Sequence, residues 1–525
     1  MAPSMVSDSA LPMLTEDASS TVKASGTSSL GNRLPTEILT RIIKNIIHVP
    51  TLASLARTSK YISEITYPIL YSSFREIEDG SCLPNFLRTI LLKPKLAQHV
   101  KTYIGYNTPY TTAMELDYMT APELVLFQRA MKATKEHCPD VDEERWGRIR
   151  GGNADDLTAL LLCLLPNLEE LHILNHGNDF EGHIRLERMI RRVAENQEPE
   201  KNNSPLRKLK KVTLDGGMGE EYFPNSGIAI FQVLPFLALP TVQELSCHLL
   251  IGTTFPRDDF GRHPFQPTFI PGSIYVDVDP KPDFRFSKTS LSIKHAFVTH
   301  EDLAQFLGFF ESLQRLEYDF RYQDNPQQDV VWNDIDFAPR LFLNCISHLG
   351  DSLEELVISE DQFLEKIENP DADLPISSMT AFYKLKSLQM PAHMLFGKYR
   401  QDPAHEQYSD SFISELTSLF PESLEQLTIT RCDSAQFSNL KKWAGRELPQ
   451  SLRKIRTVLS PDTWDQIEPF LDFDYKDFSD RGTWNFNGVD FSFEAPVPTR
   501  YTNSCPECEE VDSWKKDMGF HEWSK

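Results

Sequence analysis

No Walker loop, dinucleotide glycine fingerprint, nucleophile elbow or paired zinc-ligand helix occurs anywhere in this chain. The pair Gly151-Gly152 follows no convincing strand, and the fourteen histidines lie at spacings that bring none of them together. These absences argue against an enzyme: no residue stands out as nucleophile or base, and no cofactor is expected. Long apolar runs are missing too. The longest, LTALLLCLLP, is too short to cross a bilayer and ends at Pro166, so no membrane partner is expected. Positive charge is scarce. The 76 acidic residues outnumber the 53 basic ones, for a formal net charge of −23, and the average field repels nucleic acid and favours a basic partner. Cysteine is sparse, with eight in 525 residues. Cys163, Cys247 and Cys345 sit in apolar segments, where a reduced thiol behaves as a small hydrophobe, and this usage points to cytoplasm or nucleus. Residues 1–29 are rich in Ser, Thr and Ala and lack the basic start and apolar core of a secretion signal, so they read as a disordered leader.

What the chain does have is an apolar surplus near its start. From Leu34 to Tyr71 it reads LPTEILTRIIKNIIHVPTLASLARTSKYISEITYPILY. Ile38, Leu39, Ile42, Ile43, Ile46 and Ile47 recur at three-to-four-residue spacing, a stripe wider than one packing face requires. One helix therefore has two apolar neighbours to satisfy. Pro35 suits a first turn and Pro50 a stop. Thr51 is then the expected cap of a second short helix bearing Leu52, Leu55 and Ala56. Ser59 would cap a third, with Tyr61, Ile62 and Ile65 facing inward until Pro68 interrupts it.

The opening LPTEIL, the run from Leu55 to Lys60 and the closing YPILY resemble the F-box, especially the version common in fungal proteins. The resemblance implies binding to the Skp adaptor and, through it, membership of a cullin-RING ubiquitin ligase. It further implies that Leu34, Pro35, Ile38, Leu39, Ile42, Leu52, Leu55 and Ser59 touch the adaptor or shape the surface that does. The Trp that many F-boxes carry in the third helix is absent, with Tyr61 or Ile62 near its place.

A second pattern, Leu-x-x-Leu-x-apolar, starts at Leu168, Leu209, Val242, Leu313, Leu353, Leu385, Leu424 and Leu452. Its last two apolar positions flank a polar one, as a strand with one buried face requires. Helical segments precede several copies, and turn residues such as Pro166-Asn167, Gly350-Asp351 and Pro421-Glu422 separate helix from strand. In five copies an apolar helix-end residue (Leu164, Phe309, Leu349, Phe420 or Leu448) stands four positions ahead, placed to pack beneath the strand. Stacked units of this kind share one continuous core, and the pattern resembles leucine-rich repeats. Successive starts lie 28 to 41 residues apart, except for one interval of 71, so the stack should be irregular. Strand–helix pairs in one or two ordinary α/β domains are the alternative.

The expected architecture is thus α/β. A disordered leader (1–29) precedes a three-helix F-box (30–75), a helical linker region (76–154), a solenoid (155–460) with an insertion at 253–288, and a C-terminal cap with an acidic aromatic tail (461–525). Pleating turns Glu170, His172, Lys211, Thr213, Glu244, Ser246, Arg315, Glu317, Glu355, Val357, Gln426 and Thr428 to the sheet surface. Of these, Glu170, His172, Arg315, Glu317, Glu355, Gln426 and Thr428 are the candidates for holding a protein target. In the tail, Cys505, Cys508 and His521 offer three metal ligands where a closed zinc site needs four, so no metal is assigned. The rivals to a substrate receptor are a repeat scaffold whose N-terminal helices are only a cap, and an adaptor-bound protein acting outside the ligase.

Overall fold

The computed structural model describes residues 34–76, 82–107, 120–135, 146–147, 149, 153–175, 184–196, 204–216, 227–251, 285–296, 298–320, 337–360, 375–376, 378–396, 416–444, 448–459, 481–486 and 489–494. The leader, most of the 253–288 insertion and the tail with Cys505, Cys508 and His521 lie outside them. The chain divides after Leu70 into two compact units.

The first unit holds α1 (Thr36–Lys44), α2 (Val49–Leu55) and α3 (Lys60–Leu70). Pro35 stands just ahead of α1, its carbonyl accepting from Ile38 N and Leu39 N at 3.1 Å each. Two expectations need correcting. Helix α2 opens at Val49, ahead of Thr51, because Pro50 fits a first turn where its missing N–H is not needed; Thr51 Oγ1 instead bonds His48 Nδ1 at 2.8 Å. Helix α3 runs through Pro68, which removes a backbone bond only in the last turn. Ser59 does cap α3, its hydroxyl accepting from Ile62 N at 3.2 Å. Leu39, Ile43, Leu52, Ala56 and Thr66 are buried, with Ile62 and Ile65 half-buried, whereas Tyr61 stays exposed and its hydroxyl bonds Thr36 Oγ1 at 2.9 Å.

The second unit is built on a thirteen-stranded sheet: β1 (Ser73–Arg75), β2 (Thr102–Asn107), β3 (Glu170–Asn175), β4 (Lys211–Asp215), β6 (Glu244–His248), β8 (Phe286–Ala296), β9 (Phe310–Phe320), β10 (Glu355–Glu360), β11 (Ser387–Pro391), β12 (Gln426–Cys432), β13 (Lys454–Leu459), β14 (Arg481–Phe486) and β15 (Val489–Glu494). A separate pair is made by β5 (Ile228–Ala229) and β7 (Leu250–Ile251). The strands follow one another in chain order and pair in parallel until β15, beside which β14 lies antiparallel. Between them run α4 (Cys82–Leu92), α5 (Ala121–Ala133), α6 (Ala154–Cys163), α7 (Ile184–Asn196), α8 (Ile230–Leu237), α9 (His300–Leu307), α10 (Pro339–Ile346), α11 (Ala392–Phe396) and α12 (Ser434–Ala444). A parallel sheet laid down strand by strand with helical returns is a solenoid of leucine-rich-repeat type.

All eight motif copies are strands of this sheet, and they stack in register. Leu171, Val212, Leu245, Leu291, Leu316, Leu356, Leu388, Leu427 and Ile455 form one buried row across nine strands. Each such side chain is worth about 1.5–3 kcal/mol of burial, which makes this row the spine of the unit. Of the helix-end residues, Leu349 and Phe420 are buried, and Leu164, Phe309 and Leu448 are half-buried.

The sheet also reaches beyond its expected limits. It starts at β1, inside the range assigned to the F-box, and β2 falls within the segment expected to be a helical linker. The hidden copy there reads Val100-x-x-Tyr103-x-Gly105. Gly105 is required because a Cβ would strike the ring of buried Tyr103, whose hydroxyl meets Thr158 Oγ1 at 3.3 Å and donates to Glu76 Oε2 at 3.4 Å. A second hidden copy, Lys288-x-x-Leu291-x-Ile293, falls in the 71-residue interval and forms β8, so the last residues assigned to the insertion are strand. Past residue 460, β14 and β15 extend the sheet again.

Helices α7 and α8 and strands β3, β4 and β5 border a small pocket of about 30 Å³, lined by Ile173, Leu186, Glu187, Leu214, Ile228, Gln232 and Phe236. Asp155 of α6 accepts from Leu186 N at 3.0 Å, which brings a second carboxylate to the start of α7. Burial, together with the Asp155 charge, pushes the Glu187 carboxyl up to about 8. Between its unfolded value, about 4.3, and 8, the folded protein holds a proton that the unfolded chain releases, so this contribution to stability is lost as pH rises to 8. Glu187→Gln, which cannot ionise, should therefore exceed the wild type by about 1–3 kcal/mol at pH 8 and match it at or below about pH 4. Urea unfolding followed by circular dichroism across that range checks this.

Candidate partner-binding surfaces

At 100° per residue, α1 presents three lines side by side. Leu39 and Ile43 face the core, Ile38 and Ile42 lie next to them facing outward, and Arg41 and Lys44 flank that outward line on its far side. Ile38 and Ile42 are 44% and 49% exposed, and Leu34, Val49, Tyr61 and Ile47 are exposed as well, Ile47 at 77%. Single exposed apolar residues are ordinary, but six within 28 residues of a three-helix unit form a patch of the kind that marks an interaction site.

The F-box-implied residues sort by burial. Leu34, Pro35, Ile38, Ile42 and Ser59 are exposed and Leu55 is half-buried. Leu39 and Leu52 are sealed in the unit's own core, where they support the patch without forming it. Ile47, Val49 and Tyr61 belong to the surface without being among the implied contacts. For Tyr61 the sequence offered a helical period but not its direction.

On the sheet, the surface opposite the buried row carries a register of its own. Glu170, Lys211, Glu244, Ser290, Arg315, Glu355, Ser387, Gln426 and Lys454 form one row, and His172, Thr213, Ser246, Ser292, Glu317, Val357, Gln389, Thr428 and Arg456 the next. Arg315, Glu317 and Glu355 come together: Arg315 lies 3.7 Å from each carboxylate, and Glu317 also accepts from Ser292 Oγ at 3.1 Å and faces Lys294 at 3.9 Å. Gln426 and Thr428 lie two strands along. Glu170 and His172 lie four strands the other way, roughly 19 Å at ordinary strand spacing. One residue departs from the pleat prediction: Thr213 is buried, at 8% exposure.

Just ahead of the strands runs a chain of alternating charge: Lys101, Glu169 and Lys210, then Glu354, Lys386, Glu425 and Arg453. Lys101 and Glu169 pair at 3.0 Å, and Lys386 and Glu354 at 2.7 Å, and each lysine holds its partner's carboxyl below the usual carboxylate range. Exposed pairs of this kind add little stability. Among the described residues they do balance the charge of one sign against the other along this line.

Two bulges at the carboxyl ends of strands were not legible in the sequence. The β8–β9 register shifts between Ile293 and Ala296, with His295 at φ 53°, and the β12–β13 register shifts between Ile429 and Cys432, with Arg431 at φ 56°. Each bulge redirects a side chain. His295 Nδ1 lies 3.7 Å from Asp319, while Arg431 lies 3.7 Å from Glu360, whose almost wholly buried carboxylate also meets His393 Nδ1 at 3.5 Å. Among the described residues no three His, Cys, Asp or Glu side chains group as a metal site, and no helix is long and apolar enough to cross a membrane.

No family model matches the chain, and no curated protein matches it. Among solved structures an internalin from Listeria monocytogenes is similar over 56% of this chain and 70% of its own, with 13% identity and a TM-score of 0.19. So low a superposition carries no weight, and the repeat character rests on the strand register.

Proposed function

We propose that this chain is the substrate-recognition subunit of a Skp-cullin-F-box ubiquitin ligase. The helical unit binds the Skp adaptor, and the sheet surface holds a protein target. The observation that carries the reading is the outward apolar patch on three short helices that already have a core of their own. Burying even half of its six large side chains against a partner is worth roughly 5 kcal/mol before the cost of association, enough to favour a specific contact. The internally neutralised, polar sheet surface suits a folded or extended protein better than nucleic acid. The chain's task in this reading is positioning: it holds target lysines near a ubiquitin-charged enzyme carried elsewhere in the complex, raising their effective concentration.

Replacing Leu34, Pro35 and Ile38 together by alanine should reduce capture of purified Skp adaptor at least 100-fold while leaving the far-ultraviolet circular dichroism unchanged. Undiminished capture by the triple variant, or no capture by the wild type, overturns the adaptor reading and leaves a protein-binding repeat scaffold. If the adaptor is captured but cullin and ubiquitin conjugates never accompany it, the chain acts outside the ligase.

A further inference from the structure

The helical unit is charged against the trend of its own chain. Residues 34–70 carry Arg41, Lys44, Arg57 and Lys60 against only Glu37 and Glu64, whereas the whole protein has a formal net charge of −23. All six are exposed, and none of the four basic side chains is engaged in a salt bridge among the described residues. The arrangement contrasts with the sheet unit, where Lys101, Lys386 and Arg315 each sit beside a carboxylate. On α1 the basic line Arg41–Lys44 borders the exposed apolar line Ile38–Ile42, and Lys60 precedes exposed Tyr61. Unpaired cations that rim an apolar patch are the usual layout of an interface with a dry centre and a charged border.

We infer that the surface covering this patch is acidic, and that Arg41 and Lys44 steer its approach. The inference rests on the adaptor reading and adds the chemistry of the partner's face: apolar where it meets Ile38 and Ile42, carboxylate-rich where it meets the basic line. A second copy of this chain is disfavoured as the occupant, because its helical unit carries the same net positive charge and would repel the first.

The test uses the full chain and purified Skp adaptor, with association followed by stopped-flow fluorescence at 50 and 500 mM NaCl. The wild-type association rate should fall at least tenfold with salt. R41E/K44E should lose at least tenfold in association rate at 50 mM NaCl with less than a threefold change in dissociation rate, since rim charges act on encounter. The apolar variant I38A/I42A should instead raise the dissociation rate. An association rate indifferent to salt and unchanged in R41E/K44E overturns the acidic-partner inference while leaving adaptor binding in place. Sedimentation showing a dimer abolished by I38A/I42A replaces the adaptor with a second copy. Failure of the wild type to bind the adaptor at either salt concentration overturns both readings.

Discussion

Glu360→Ala should lower the stability of the sheet unit by about 3–4 kcal/mol, the largest effect we expect of any single substitution outside the leucine row. The Glu360 side chain is only 2% exposed and lies between His393 at 3.5 Å and Arg431 at 3.7 Å. Deleting one member of a buried ionic group leaves the others desolvated and uncompensated, which costs more than the group contributed when intact. The figure belongs at the lower end of the usual range because Arg431 keeps 31% exposure and His393 17%, so both can recover some hydration. Arg431→Ala in the Glu360→Ala background should then add little, since its partner is already gone. Urea midpoints for the two single variants and the double variant close that cycle. Because a repeat stack opens locally, hydrogen exchange should show the loss in β10 to β13 before the remainder of the sheet. A cost below about 1 kcal/mol would mean that the bulge at Arg431 aims its side chain to no energetic purpose.

Lys288→Ala should destabilise by about 2–3 kcal/mol, and Lys288→Leu by much less. The lysine fills the position that Leu209, Val242 and Leu313 fill in neighbouring copies, and its ammonium donates to Leu239 O at 3.0 Å and Val242 O at 2.7 Å. Alanine removes those bonds and leaves a void, whereas leucine restores the apolar row and loses only the bonds. Burial pushes the ammonium down to about 8. Below that value both states carry the proton; between 8 and the unfolded value of about 10.4 the unfolded chain binds more. Wild-type stability should therefore gain from this group as pH rises from 8 to 10.4, and the Leu variant should lack that gain. Parallel urea titrations at pH 7.5 and 10 distinguish the two.

Lys288 also shows why part of the fold was hard to read. A Leu-based motif cannot register a copy whose first leucine is a lysine, or one such as Val100-x-x-Tyr103-x-Gly105, whose bulk is contributed by a tyrosine folded under a glycine. The sheet accepts both because what it needs at each position is a filled volume with satisfied polar atoms, and lysine meets that need through two carbonyls of the preceding repeat. Thr213 was misplaced for a related reason. Alternation gives the side of a strand correctly, but the neighbours that cover a surface residue come from distant segments. In the helical unit the three helices and the Ser59 cap were legible, since both are local. The direction of Tyr61 was not, since it depends on how α3 meets α1, and neither was the passage of α3 through Pro68, since a proline in the last turn costs only one backbone bond and does not end the helix.

The sequence alone determined the repeating strand, the helices before it, the side to which Leu171 and Glu170 turn, and the apolar surplus of Leu34 to Tyr71, because each follows from spacing within a few residues. Only the tertiary structure decided that Leu39 and Leu52 are used up in the helical core while Ile38, Ile42 and Ile47 remain outside, that Arg315 meets both Glu317 and Glu355, and that Glu360 is buried against His393 and Arg431. The physical reason is range. Periodicity is imposed by neighbouring peptide units, but solvent exclusion and charge pairing are settled by residues tens of positions apart, which come together only when the strands stack.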